Sequence, residues 1–180
     1  MAESLARPTR ESGRSISEVG IAVALSLLLA LFNLAPWPQG GQISLDMLPI
    51  LLLARWRGWR AGTLAGVSYG LLHLLQEPVL LHPLQVLLDY PLAYGALGLA
   101  GLPALRGHIY PALTLALGAR FSCHFLSGLI FLPLFLPSEN LPANPFLWSL
   151  AYNGSFLLLP GALMFFLVPP LSQALEAHLS

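Results

Sequence analysis

Asp89, His124 and Asn153 each interrupt a long apolar run of this 180-residue chain. An ionisable group surrounded by Leu, Ala and Phe is costly where water does not reach it, so each needs a partner or a ligand. A carboxylate balances a cation, an imidazole donates and accepts, and an amide does both. Arg120 lies one turn before His124, and Arg120, His124, Gly128 and Leu132 recur at i, i+4, i+8 and i+12, a single helical stripe. Two readings of Arg120 stay open: a structural ion pair with Asp89, or contact with a ligand. Gly128 either leaves room for a ligand to reach the backbone or lets two helices pack closely. Trp148 and Tyr152 form an i, i+4 aromatic pair that reads as an interfacial anchor or as a ligand contact.

Other chemistries lack their residues. The chain has no lysine, so it carries no Walker A loop and no Schiff-base lysine. Any ATP hydrolysis belongs to another subunit. Cys123 is the single cysteine, which excludes an intrachain disulfide and a cysteine-based metal cluster. Ser122, Ser127 and Ser149 are available to an intramembrane hydrolase, yet there is no Gly-x-Ser-x-Gly elbow and no His-Glu-x-x-His pair. A binder is therefore expected, with no catalytic residue, metal or cofactor.

The elements that must position these residues follow from composition. Hydrophobic residues make up 56% and charged residues 9%, against roughly 25% charged in a soluble domain. Mean hydropathy is +0.73. Sixteen charged side chains cannot cover a soluble globule of this size, so the chain is read as an all-α membrane protein. Eight arginines balance eight acidic residues, which leaves no basic excess for nucleic acid.

A span needs ~20 mostly apolar residues, and six are expected, at 17–34, 45–54, 59–75, 83–102, 109–132 and 145–168. Residues 1–16 read as a cytoplasmic leader, 17–170 as the transmembrane domain, and 171–180 as a short cytoplasmic tail after a stop at Pro169-Pro170. Arg7, Arg10, Arg14, Arg55, Arg57, Arg60 and Arg106 fall on one side, while the opposite connections hold only Asp46, Glu77 and Glu139. By the positive-inside rule both termini are cytoplasmic. Asp89 then lies ~9 Å below the outer surface, and His124 and Asn153 ~12 Å below it, at 1.5 Å per residue. Matched depth on three spans predicts one pocket open to the outside.

These motifs resemble the thiamine-specific substrate-binding (S) component of energy-coupling factor (ECF) transporters. The resemblance rests on Gly41-Gln42-Ile43-Ser44-Leu45 with Met47, Pro49 and Ile50, on Arg57-Gly58 with Ala61-Gly62, and on Gly70-Leu71-Leu72-His73. Asp89-Tyr90, Arg120-Phe121 with His124-Phe125 and Gly128, Ser149-Leu150-Ala151 and Asn153-Gly154 complete it. It implies a six-helix bundle that captures thiamine, a thiamine precursor or another small vitamin. It also implies docking on a transmembrane coupling subunit with two ATPase subunits. Binding residues carried over are Asp89, Tyr90, His124, Gly128, Asn153, Trp37 and Trp148. The docking face falls on the first span, where Gly20-x-x-x-Ala24 and Ala22-x-x-x-Ser26 give small-xxx-small spacing. Where this sequence departs from the family pattern, Asp89 replaces a glutamate, Leu132 a stacking tryptophan and Trp148 a tyrosine. No tyrosine occurs in 76–88.

Overall fold

In an apolar medium a chain must satisfy its own backbone, and helices do so within one segment. The computed structural model describes residues 10–32 and 43–179, with side chains for 16–32 and 43–177. Among the described residues six main helical segments follow one another. They are α1 Arg10–Ala30, α2 Met47–Arg57, α3 Trp59–Gln76, a composite α4, α5 Ile109–Ile130 and α6 Pro145–Leu179. α4 runs as an α-turn Pro83–Leu87, a π-helical stretch Leu88–Leu92, a further α-turn Ala93–Gly95 and a 3-10 stretch Ala96–Gly101. This is the all-α bundle expected from the sequence.

Five boundaries differ from the sequence reading, the first at α2, which runs on to Arg57 and takes Arg55 and Arg57 into its last turn. α1 begins at Arg10, so the expected leader is partly helical. α4 is not a regular helix, because Pro91 has no N–H and the turn around it widens to a π-helix carrying Asp89 and Tyr90. α5 stops at Ile130, and after Phe131 a separate short helix, Leu132–Phe135, begins. α6 does not stop at Pro169-Pro170 but continues helical through both. A proline costs a helix one hydrogen bond without forcing its end when flanking turns hold. At 35 residues α6 is ~52 Å long and exceeds the ~30 Å hydrocarbon core. α5 and α6 are each long and apolar enough to cross a membrane.

α3 packs against α1, α2 and α4, and α6 against α2 and α5. Ile50, Leu51, Tyr69, Leu97 and Leu113 are fully buried in the shared core. A single residue, Gly58, joins α2 to α3, and its φ of 91° lies where side chains with a Cβ are strained. α3 meets α4 through glycine: a Cβ at Gly66 would strike the Tyr94 carbonyl, and one at Gly98 would strike the Thr63 backbone.

The arginines gather at one end. The Arg55 guanidinium donates to the carbonyls of Ala100 (3.2 Å), Leu105 (3.1 Å) and Arg106 (2.6 Å), which closes the C-terminal end of α4. Arg57 pairs with Glu18 at 2.6 Å and ties α2 to α1.

Candidate binding cavity

At the other end, α3, α4, α5, α6 and the residues before α2 enclose a cavity of about 110 Å³. Its wall includes Asp89 and Tyr90 from the π-helical turn, His124 and Gly128 from α5, and Trp148 and Asn153 from α6. The structure thus brings together six of the seven expected binding residues. The seventh, Trp37, lies outside the described residues.

Asp89 is the centre of a hydrogen-bonded set. Its Oδ2 accepts from Gln85 Nε2 at 2.8 Å and from Ser127 Oγ at 2.7 Å, and its Oδ1 lies 3.2 Å from His124 Nδ1. The Gln85 side chain is almost fully buried, and its Oε1 accepts from the Leu81 amide, so Gln85 anchors the carboxylate to the loop before α4. The far nitrogen of the imidazole, Nε2, is buried without a partner.

Arg120 does not pair with Asp89, which removes the structural ion pair from the two readings of that residue. Its guanidinium instead lies 3.8 Å from the centroid of the Tyr94 ring. Asp46 was expected in an outer connection, yet it is only 3% exposed and accepts from the hydroxyls of Tyr69 (2.7 Å) and Tyr94 (2.6 Å). A carboxylate just before a helix normally caps it, whereas this one makes no cap bond and turns into the core. The cavity wall therefore carries three carboxylates, Asp46, Glu77 and Asp89, and one guanidinium, Arg120. Arg120 Nε and Nη1 have no acceptor, an arrangement that costs about 1–3 kcal/mol for a buried polar group.

On α6 both amide hydrogens of Asn153 have partners, because Nδ2 donates to Ser149 O at 2.8 Å and to Ser149 Oγ at 3.1 Å. Asn153 offers the cavity only its acceptor oxygen. Ser149 Oγ in turn donates to the Phe125 carbonyl at 2.8 Å and fastens α6 to α5. A Cβ at Gly128 would sit 2.6 Å from Ser149 Oγ and 3.0 Å from Asn153 Nδ2. Close packing of α5 on α6 is thus a reason for glycine at 128, and its backbone also lines the cavity. Tyr90 gives the cavity its ring, while its hydroxyl donates to Glu77 O (2.7 Å) and accepts from the Val79 amide (2.9 Å).

Aromatic faces line one side. Trp148 and Tyr152 stack at 4.9 Å with planes 3° apart, and Phe156 meets Tyr152 edge-on at 5.5 Å. Leu132, where the family resemblance expects a tryptophan, is buried and off the cavity wall; Phe135, one turn further on, lines it.

The expected docking residues divide. Ala22 and Ser26 are 6% and 0% exposed and pack inside the bundle, which corrects their assignment to an outer face. Gly20 and Ala24 are exposed, and a Cβ at Gly20 would meet nothing within 4 Å. A 3.6-residue period separates the two stripes by the two-residue offset between them, about 200° around the helix.

Sequence reasoning missed Asp46, Gln85, Tyr94, Ser127 and Phe135. Gln85 and Asp89 share the i, i+4 spacing of a helical hydrogen-bonded pair, and that signal was available. Asp46 with Tyr94 was not, because 48 residues separate them.

The sequence profile of the family described as Thiamine transporter protein (Thia_YuaJ) matches residues 16–179. The chain is 30% identical to Thiamine transporter ThiT of Bacillus subtilis, with 78% of this chain and 81% of that protein covered. It is 27% identical to Thiamine transporter ThiT of Lacticaseibacillus paracasei, with 79% of each covered. The fold is similar to the solved structure of ThiT from Listeria monocytogenes, at a TM-score of 0.73 and 23% identity. That likeness covers 91% of this chain and 98% of the other.

Proposed function

The chain belongs to the thiamine transporter family, and from that premise we propose that it is the substrate-binding (S) component of an ECF transporter. In this reading it captures thiamine from outside the cell, and partner subunits hydrolyse ATP to complete uptake. The family is one of membrane transporters and not of enzymes, so no catalytic step is assigned.

The observation that carries the reading is the environment of Asp89. Its carboxylate faces the cavity among donors from Gln85, Ser127 and His124, and no arginine neutralises it. A buried carboxylate favours a cation, and the thiazolium of thiamine carries a permanent positive charge. The faces of Trp148 and Tyr152 suit the same ring. The Asn153 oxygen suits the amino group of the pyrimidine. Trp37 keeps the ligand-contact role that the family resemblance gives it.

The arginine end of the bundle is assigned to the cytoplasm with both termini, and the cavity end to the outside. The coupling subunit docks on the exposed stripe of α1 through Gly20 and Ala24, with the two ATPase subunits beyond it.

Titration of the purified protein, followed by tryptophan fluorescence, tests the reading. Thiamine is expected to give a saturable change, its pyrimidine precursor a weaker one and riboflavin none. No response to thiamine would refute the function. Docking is tested by Gly20→Trp, which is expected to abolish uptake and leave thiamine binding intact. Loss of both would mean that this stripe packs within the bundle.

A further inference from the structure

The two oxygens of Asp89 are held unequally. Oδ2 accepts from Gln85 Nε2 at 2.8 Å and from Ser127 Oγ at 2.7 Å, whereas among the described residues Oδ1 has the His124 imidazole alone, at 3.2 Å. An ionised carboxylate offers about four lone-pair positions. Both on Oδ2 are taken, and one on Oδ1 is left. The two donors on Oδ2 come from different helices, Gln85 from α4 one turn before Asp89 and Ser127 from α5. Each is 1% exposed, so packing leaves neither free to follow a moving carboxylate. Gln85 is locked a second time. Its Oε1 accepts from the Leu81 amide at 3.2 Å, which fixes its N–H toward Asp89 and ties it to the loop between α3 and α4. The Tyr90 hydroxyl holds the same loop at Glu77 and Val79.

An aspartate side chain has a single methylene, so its carboxylate changes facing by turning about the bond to Cβ. In an empty cavity a buried carboxylate short of donors turns to find them. We propose that Gln85 and Ser127 are positioning residues: together they clamp one oxygen of Asp89, so that the other, with its spare lone pair, stays turned toward the cation of the ligand. The inference rests on the thiamine reading above, in which that cation is the thiazolium. Neither residue touches the ligand in this arrangement; both act through Asp89. A charge held in place before the ligand arrives costs nothing to reorient on binding. The clamp therefore sets how sharply the site tells a charged ring from a neutral one. Stacking on the faces of Trp148 and Tyr152 does not depend on which way the carboxylate points.

The test compares thiamine with an analogue in which a neutral thiophene replaces the thiazolium, so shape persists and charge is lost. Affinities for both are measured by tryptophan fluorescence on the purified full chain, in wild type, Gln85→Met and Ser127→Ala. Each substitution removes one donor from Oδ2, and Ser127→Ala does so without touching the loop between α3 and α4. Thiamine is expected to weaken roughly 10-fold in each variant, the lower end of what a hydrogen bond to a charged group is worth. The neutral analogue is expected to change by about threefold or less, so the preference for charge falls. A packing role would weaken both ligands by the same factor. Ser127→Ala carries the comparison alone where the ligand-free melting curve shows that Gln85→Met has not folded. The inference is overturned if, in a variant that folds, thiamine affinity does not fall or both ligands weaken alike. Failure of wild type to bind thiamine is a different outcome, which removes the proposed function and this inference with it.

Discussion

α3 against α4 is closed by glycine along its length, whereas α5 against α6 is close-packed at Gly128 and open at Gly118 and Gly161. Between α3 and α4, Gly66, Gly70 and Gly98 admit the opposing backbone, and a Cβ at any of them would meet main-chain atoms. On α5 and α6, Gly118 and Gly161 have nothing within 4 Å of their missing Cβ. They border an apolar cleft of about 390 Å³ with Leu117, Phe121, Leu158 and Phe165. The first interface is sealed and fixes Tyr94 and the π-helical turn that carries Asp89. The second is fastened at Gly128 and Ser149 but opens at Gly118 and Gly161, and the cavity lies where α5 and α6 face that rigid wall. Backbone against backbone cannot relax, whereas a gap between side chains can be filled or emptied, so the ligand-binding side chains divide between a fixed wall and an adaptable one.

The largest expected effect is at the seam. Asp89→Asn keeps the shape and removes the charge, and thiamine binding is expected to weaken by about 2–5 kcal/mol. An analogue with a neutral ring in place of the thiazolium should lose much less. The ligand-free melting temperature should fall only through the weakened bonds from Gln85, Ser127 and His124, because no arginine is left unpaired. Unchanged thiamine affinity would remove Asp89 from the site.

Next in size, Gly66→Ala drives a methyl group into the Tyr94 carbonyl and should lower stability by about 1–3 kcal/mol, read by thermal melting. A neutral result would mean that α3 and α4 separate easily, and the contrast between a sealed and an open interface would collapse. The smallest effect has the opposite sign. Gly118→Ala or Gly161→Ala adds a methyl group in open space and should raise helix stability by about 0.5–1 kcal/mol in the same assay. Destabilisation there would show that the cleft closes on itself.

Much of the site was legible because α-helical periodicity and burial cost act locally. Asp89, His124 and Asn153 each contradict an apolar run, and their matched depth places them at one level. The partners of Arg120 were not legible. Depth alone allowed Asp89, but the angular position of Tyr94 on α4 decided otherwise. The same limit applies to α1, where small-xxx-small spacing was read on two stripes and only packing against the core shows that Ala22 and Ser26 face inward.

By itself the sequence determined that the chain is helical and apolar, that it carries no lysine for a Walker A loop, and that polar groups converge toward one end. Those properties follow from composition and from spacing within single segments. Tertiary structure decided what long-range contact decides. It turned Asp46 into the core against Tyr69 and Tyr94, and it gave Gly128 a packing role beside Ser149. It also set Phe135 on the cavity wall in place of Leu132. Each outcome depends on the rotation of one helix about its axis relative to another. No local sequence pattern encodes that angle, because it is fixed by how all the side chains of the bundle fill space together.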